Sequence, residues 1–148
     1  PSSFVGEMRQ FPKAKLIDLI LFDFEKYIVE TLQKNDFQVI YKNHPKGIPL
    51  GQDYLSRLAN DSSKVAISDA LEMADTLIFD YAGTAFISAL DSGKNILFIN
   101  NGQRPLSDLI KAQLTKRVKI ISTYCKNNIL YLNEKELLYA LNDFKKES

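Results

Sequence analysis

The residue with the clearest capacity for chemistry is His44, the only histidine of the chain. It comes two residues after Lys42, which ends the apolar segment FQVIYK, and Pro45 restricts its backbone to extended geometry. An imidazole there can donate a hydrogen bond to a phosphate group, and its charge can change near neutral pH. A purely structural histidine is the alternative. Its place at the end of a predicted strand favours the phosphate-binding role.

A second candidate is the segment DYAGT, which follows the short apolar run TLIF and comprises Asp80, Tyr81, Ala82, Gly83 and Thr84. Ala82 and Gly83 allow close approach of a ligand to the backbone, and Thr84 adds a hydroxyl group. A helix that starts here would offer unpaired N–H groups and a partial positive charge to a diphosphate. The alternative is a plain strand-to-helix turn, in which Asp80 or Thr84 is the N-cap and Gly83 relieves crowding.

The other polar segments favour plainer interpretations. NNGQRP, residues 100–105, predicts a turn with Arg104 in solvent, and Cys125 predicts an inert, partly buried thiol. The scattered cations predict a solvated face: Lys111, Lys116, Arg117, Lys119 and Lys126. The sequence has no metal-ligand cluster, no Gly-x-Gly-x-x-Gly fingerprint and no Walker-type lysine loop. It therefore predicts no metal site and argues against a dehydrogenase or a P-loop enzyme.

Composition sets the broad class. The chain has 148 residues, 45% of them hydrophobic, which is enough for a single buried core. Lys and Arg number 19 against 18 for Asp and Glu, so no large positive field favours nucleic acid as a partner. A single cysteine excludes an intrachain disulfide and fits a reducing, cytoplasmic compartment. The chain contains neither a signal peptide nor an apolar run of membrane-spanning length, and its start at Pro1 predicts a fragment of a longer protein.

Short apolar strands alternate with helical patterns along the chain. The predicted strands are FQVIYK, KVAIS, TLIFD, NILFIN and VKIIS, at residues 37–42, 64–68, 76–80, 95–100 and 118–122. The predicted helices cover residues 16–34, 53–60, 69–75, 83–93, 104–116 and 133–146, with capping-box spacing at Asp69 and at Asn133. This alternation predicts one Rossmann-like, three-layer α/β domain over residues 1–148, with a mostly parallel sheet and residues 1–15 as an inter-domain loop.

A parallel sheet would bring the candidate loops together. Ligands of open α/β sheets bind beyond the carboxyl ends of the strands. The loops that follow the first, third and fourth predicted strands all leave from that edge, and they contain His44, Asp80 and Asn101 respectively. The loop with His44 and the loop with Asp80 therefore predict a pyrophosphate clamp.

Two segments, VIYKNHPKG and ALEMADTLIFDYAGTAFISAL...KNILFIN, give the chain its resemblance to a known family over about residues 37–100. The sequence resembles the C-terminal, nucleotide-binding domain of two-domain type B glycosyltransferases. It is most similar to the capsular polysaccharide and teichoic acid enzymes related to CDP-glycerol glycerophosphotransferases. In that family a Lys-x-His-Pro loop and an Asp-Tyr-Ser-Ser segment flank the pyrophosphate of the donor.

The resemblance implies roles for individual residues. His44 would be the catalytic histidine that contacts a donor phosphate, with Lys42 in the same loop, and Asp80 and Tyr81 match the Asp-Tyr pair. Ala82 and Gly83 stand where the family has two serines, which leaves Thr84 as the nearest hydroxyl. Ser3 and Gly6 would border the donor cleft at the domain junction.

The resemblance also implies a function. The chain would bind a nucleotide-activated sugar or glycerol for a transferase of bacterial surface polysaccharide synthesis, with no cofactor besides this donor substrate. The acceptor site and the base would belong to a preceding N-terminal domain, so this piece alone would be inactive. The intact protein would be cytoplasmic and could associate with the inner face of the cell membrane.

Two alternatives remain open. UDP-N-acetylglucosamine 2-epimerases share the expected fold, but they carry an Asp-Ser-Gly-Gly segment followed by paired glutamates, whereas the helix after Gly83 offers only Asp91. This resemblance is therefore more distant. The other alternative is a noncatalytic Rossmann-like module that binds a protein partner, suggested by the replacement of both serines.

Overall fold

The computed structural model describes residues 18–42, 54–59, 61–63, 67–103 and 106–147. The chain divides into two compact units, Pro1–Ala66 and Ile67–Ser148, and each is described by itself. The expectation of a single domain over the whole chain stays a prediction.

The first unit contains two helices and a pair of parallel strands. Its elements are α1 (Asp18–Lys34), β1 (Ile40–Lys42), α2 (Tyr54–Leu58) and β2 (Asp61–Ser63). β1 and β2 pair in parallel, with Ile40 opposite Asp61. The strand expected over residues 37–42 is shorter than predicted. Asp36 takes a positive φ of 62°, and the Phe37 N–H donates to the Leu32 carbonyl oxygen. Residues 35–37 therefore form the turn that ends α1 and are not part of the strand.

The spacing of apolar residues predicts one buried helix face that consists of Leu16, Leu19, Ile20, Phe24, Tyr27, Ile28 and Leu32. The face that α1 buries differs in detail. The buried apolar side chains recur at helical spacing and are Leu21, Phe24, Ile28, Val29 and Leu32. Leu19 and Tyr27, which the pattern placed on this face, are exposed. Glu25 is buried on it instead, and its carboxylate accepts a 2.7 Å hydrogen bond from the Tyr41 hydroxyl of β1.

The second unit carries a three-stranded parallel sheet in the order β3-β4-β5. Its elements are α3 (Ile67–Glu72), β3 (Thr76–Phe79), α4 (Thr84–Leu90), β4 (Asn95–Asn100), α5 (Asp108–Leu114), β5 (Lys119–Ser122), β6 (Tyr124–Lys126), β7 (Ile129–Tyr131) and α6 (Glu134–Glu147). β6 and β7 form an antiparallel hairpin. The predicted α/β class with a mostly parallel sheet is confirmed.

Different helices cover the two faces of this sheet. On one face Phe86 of α4 packs against Phe98 of β4, with 5.1 Å between ring centroids. The buried residues of this cluster are Leu71, Leu77, Phe86, Ala89, Ile96, Phe98 and Val118. Successive residues of a strand point to opposite faces, so Leu97 and Ile99 face the other side, where α6 contacts β4 and β5. Both are fully buried. The second unit therefore has three layers.

Two cationic side chains stabilise the amino-terminal edge of the sheet. Arg117 precedes β5 and donates from Nε to the Leu90 carbonyl oxygen at 3.0 Å and from Nη2 to that of Lys94 at 2.7 Å. Lys119 forms an ion pair with Asp143 of α6, and its Nζ lies 4.1 Å from the centroid of the Phe144 ring. The prediction that Arg117 and Lys119 belong to a solvated face is wrong, because backbone carbonyls and α6 engage them.

Capping explains where two helices begin. The Ser107 hydroxyl accepts from the Ile110 N–H and caps α5. The Asn133 side-chain oxygen accepts from the Glu136 N–H, as the sequence predicts for α6. The spacing at Asp69 was misleading, because α3 begins at Ile67 and Asp69 lies inside its first turn.

Two expectations are corrected, and one element was missed. Cys125, expected to be partly buried, is exposed. The predicted strand at residues 64–68 is wrong at its end, since Ile67 and Ser68 are helical, while residues 64–66 lie outside the described part. The β6–β7 hairpin was not predicted, although Asn127 and Asn128 both take the positive φ of a tight hairpin turn. Within the described ranges, no helix is long and apolar enough to cross a membrane.

Candidate functional site

The candidate site lies at the carboxyl edge of the β3–β4–β5 sheet. β3 ends at Phe79 and β4 at Asn100, and these strands are neighbours, so the loops that follow them leave the sheet side by side. Asn101 joins the two loops, because its side-chain Nδ2 donates to the Asp80 carbonyl oxygen at 3.0 Å. Its side chain is buried, with only 9% of the residue exposed.

A shallow hollow opens between these loops. Its enclosed volume is only about 10 Å³, room for about one water molecule, and the rest is open to solvent. The lining residues are Asp80, Tyr81, Ala82, Phe98, Asn100, Asn101, Gln103 and Leu106. The lining combines polar residues with the apolar residues Ala82, Phe98 and Leu106. Such a lining suits a polar organic ligand, held in orientation by a few hydrogen-bonding groups.

The loop after β4 has its shape fixed by its own side chains. The Asn100 side-chain oxygen accepts from the Gly102 N–H at 3.2 Å, and the Asn101 side-chain oxygen accepts from the Gln103 N–H at the same distance. Gly102 takes a φ of 75°, a conformation in which glycine is unstrained. Residues 100–103 form the turn that the sequence predicts, whereas Arg104 lies outside the described residues. Its asparagines and Gln103 also line the hollow, which the sequence interpretation missed, although it had placed this loop on the ligand edge.

The start of α4 decides one of the alternatives left open by the sequence. The N-cap is Gly83, in extended geometry and with no side-chain cap, so neither Asp80 nor Thr84 has the capping role. Thr84 is the first helical residue and is exposed. Gly83 does relieve crowding, because a Cβ there would lie 2.9 Å from Cε1 of the Tyr81 ring. The glycine therefore lets that ring lie against the loop.

The predicted site residues fall into three groups. Asp80, Tyr81 and Ala82 come together around the hollow, and Gly83 and Thr84 continue from them into α4. Lys42 ends β1 in the first unit. The other three, His44, Ser3 and Gly6, lie outside the described residues. The clamp between the loop with His44 and the loop with Asp80 stays a prediction.

Across the part of the chain that the structure describes, no three His, Cys, Asp or Glu side chains come together as a metal site. At the hollow itself the donors are mainly neutral carboxamides, which bind polar organic groups through hydrogen bonds. The chain matches no protein-family model, no curated protein and no solved structure.

Proposed function

We propose that this chain binds the nucleoside diphosphate part of an activated sugar or glycerol donor, as the donor-binding part of a cytoplasmic transferase of surface polysaccharide synthesis. The observation that carries the proposal is the hollow at the carboxyl edge. There Asp80 and Tyr81 of the sequence motif lie beside Asn101, which bridges the two loops. This is the edge at which parallel α/β sheets bind their ligands.

The proposal assigns different roles in binding to different residues. Asn100 and Gln103 offer carboxamide groups to the polar part of the donor, and Asn101 holds the two loops at a fixed separation. The resemblance implies that Lys42 and His44 supply positive charge or hydrogen bonds to the diphosphate of the donor. In the transfer step His44 stabilises the negative charge on the departing nucleoside diphosphate, a contribution that is typically about 3 kcal/mol for one such donor.

Nucleotide titration tests the proposal. CDP, UDP, ADP and GDP are titrated calorimetrically into the 148-residue chain, and at least one should bind. Ala82→Leu should weaken that binding about tenfold or more, since it adds volume to a residue that lines the hollow. His44→Ala should weaken it by a similar factor, equivalent to about 1.4 kcal/mol.

Ala112→Leu is the matched control, because Ala112 is exposed on α5 and gains the same volume outside the hollow. It should bind nucleotide as the parent chain does. If none of the four nucleotides binds the parent chain, the proposal is wrong. The noncatalytic partner-binding module then becomes the better account.

A further inference from the structure

The β6–β7 hairpin presents an exposed aromatic pair. Tyr124 and Tyr131 lie directly opposite each other, and their rings stack with 5.2 Å between centroids and 15° between planes. Tyr131 covers one face of the Tyr124 ring, yet 62% of Tyr124 is exposed, so its outer face is open to solvent. A cross-strand aromatic pair stabilises a hairpin by itself.

The same face of the hairpin carries a positive charge. Residues two apart on a strand share a face, so Lys126 lies on the side of Tyr124, with Ile129 opposite it on β7. Both are exposed. The other face is turned inward at Leu130, which is buried. The outer face thus combines an aromatic surface with a cation, which complements a planar, negatively charged ligand.

The hairpin is also fixed to the carboxyl edge of the sheet. Thr123 links β5 to β6, and both its N–H and its hydroxyl donate to the Asn100 carbonyl oxygen, at 3.1 and 3.3 Å. Asn100 lines the hollow, and Tyr124 is the next residue after Thr123. Tyr124 of the stacked pair is therefore the chain neighbour of Thr123, which is hydrogen-bonded to a residue of the hollow.

We infer that the outer face of Tyr124 is the stacking platform for the base of the bound nucleotide, with Lys126 beside it as a favourable charge for the phosphates. This inference rests on the proposed function. It assigns a binding surface to the base of the nucleotide, for which the residues of the hollow were given no role. Bases of every kind stack on aromatic side chains, so the platform selects a nucleotide over free pyrophosphate rather than one base over another.

The test compares CDP with inorganic pyrophosphate, using calorimetry and the quenching of tyrosine fluorescence in a chain that has no tryptophan. Tyr124→Leu should weaken CDP binding about tenfold and leave pyrophosphate binding within twofold. Tyr124→Phe keeps the ring and should retain CDP affinity within about twofold. Tyr139→Leu is the matched control, because Tyr139 is exposed on α6. It should change neither affinity.

Each other outcome has a separate meaning. If Tyr124→Leu leaves CDP binding unchanged while Ala82→Leu weakens it, the platform is wrong and the proposed function stands. If Tyr124→Leu weakens CDP and pyrophosphate equally, the pair only supports the edge of the sheet, and the platform is again wrong. If CDP does not bind the parent chain, the same variants are compared with whichever of UDP, ADP and GDP does bind. If none of the four nucleotides binds, both the platform and the proposed function are overturned.

Discussion

The two edges of the β3–β4–β5 sheet use polar side chains in opposite ways. At the amino edge, the charged groups of Arg117 and Lys119 are committed to backbone carbonyls and to Asp143. At the carboxyl edge, the neutral side chain of Asn101 joins two loops, and the loops stay apart around a hollow. Charged hydrogen bonds are stronger than neutral ones, and here they hold the amino edge of the sheet together.

This difference indicates which edge is structural and which is available for a ligand. A guanidinium that bridges two segments closes the gap between them and leaves little room for another molecule. A carboxamide that joins two loops through one hydrogen bond fixes the distance between them. The neighbouring polar residues can then line the hollow between the loops. Substitutions at the amino edge should therefore change stability alone, whereas those at the carboxyl edge should change stability and binding together.

The largest effect is expected at the amino edge, for Arg117→Met. The substitution keeps much of the side-chain length and removes both hydrogen bonds to the carbonyls of Leu90 and Lys94. Hydrogen bonds from charged donors contribute about 1.5–3 kcal/mol, so the free energy of unfolding should fall by about 2–3 kcal/mol in urea denaturation. Lys116→Met, at an exposed neighbour, should stay within about 0.5 kcal/mol of the parent.

Equal losses for the two variants would contradict the role assigned to Arg117. The comparison of edges adds a second requirement. Folded Arg117→Met should bind nucleotide as tightly as the parent chain, and a weakened affinity would mean that the two edges are not separate in function.

A smaller loss of stability is expected at the carboxyl edge, for Asn101→Leu. This nearly isosteric change removes the donor to the Asp80 carbonyl and the acceptor for the Gln103 N–H. Leaving buried polar groups unpaired costs about 1–3 kcal/mol, so unfolding should become easier by about 1–2 kcal/mol. Nucleotide affinity should fall as well, because the loops lose their fixed separation. Asn142→Leu, on the exposed side of α6, should change neither quantity.

A loss of stability without any change in nucleotide affinity would separate Asn101 from binding. That result would reduce its role to holding the fold, and the two edges would then differ only in the charge of the groups that fasten them.

The smallest effect is expected from Asp143 and depends on pH. Its hydrogen bond to Lys119 lowers the pKa of this carboxyl, and the charges of Lys119 and Lys146 act in the same direction, while desolvation opposes them. A carboxyl whose pKa is lower in the folded state adds stability above its unfolded pKa, and this is lost as the pH falls through the folded value. The contribution should therefore begin to fall near pH 4 and disappear once the pH is below the lowered pKa of the folded state.

Thermal unfolding between pH 2 and 6 measures this contribution. Asp143→Asn should give a shallower loss of melting temperature on acidification than the parent chain. Asp75→Asn, at an exposed carboxyl, should follow the parent. If the melting temperature of Asp143→Asn falls with acidification as steeply as that of the parent chain, the ion pair contributes no measurable stability. Many partly exposed ion pairs behave in this way.

The sequence predicted the elements far better than the contacts. The segment NILFIN is apolar at its centre and became the buried strand β4, and Asn133 with Glu136 marked the start of α6. The sequence-based predictions were wrong or incomplete where a local pattern is compatible with more than one structure. Asp69 has the spacing of a cap but lies inside α3, and the hairpin turn at Asn127 lacks the glycine that usually marks one.

The sequence by itself determined the α/β class, because short apolar strands separated by amphipathic helices can bury their surfaces only in such layers. It also determined that Asp80 and Tyr81 follow a strand and precede a helix. Only the tertiary structure decided that Asn101 joins the loop containing Asp80, that Arg117 fastens the amino edge, and that Tyr124 stacks on Tyr131 at the carboxyl edge. These contacts join residues between 7 and 27 positions apart. Local propensity cannot specify them, because they depend on which strands become neighbours in the sheet.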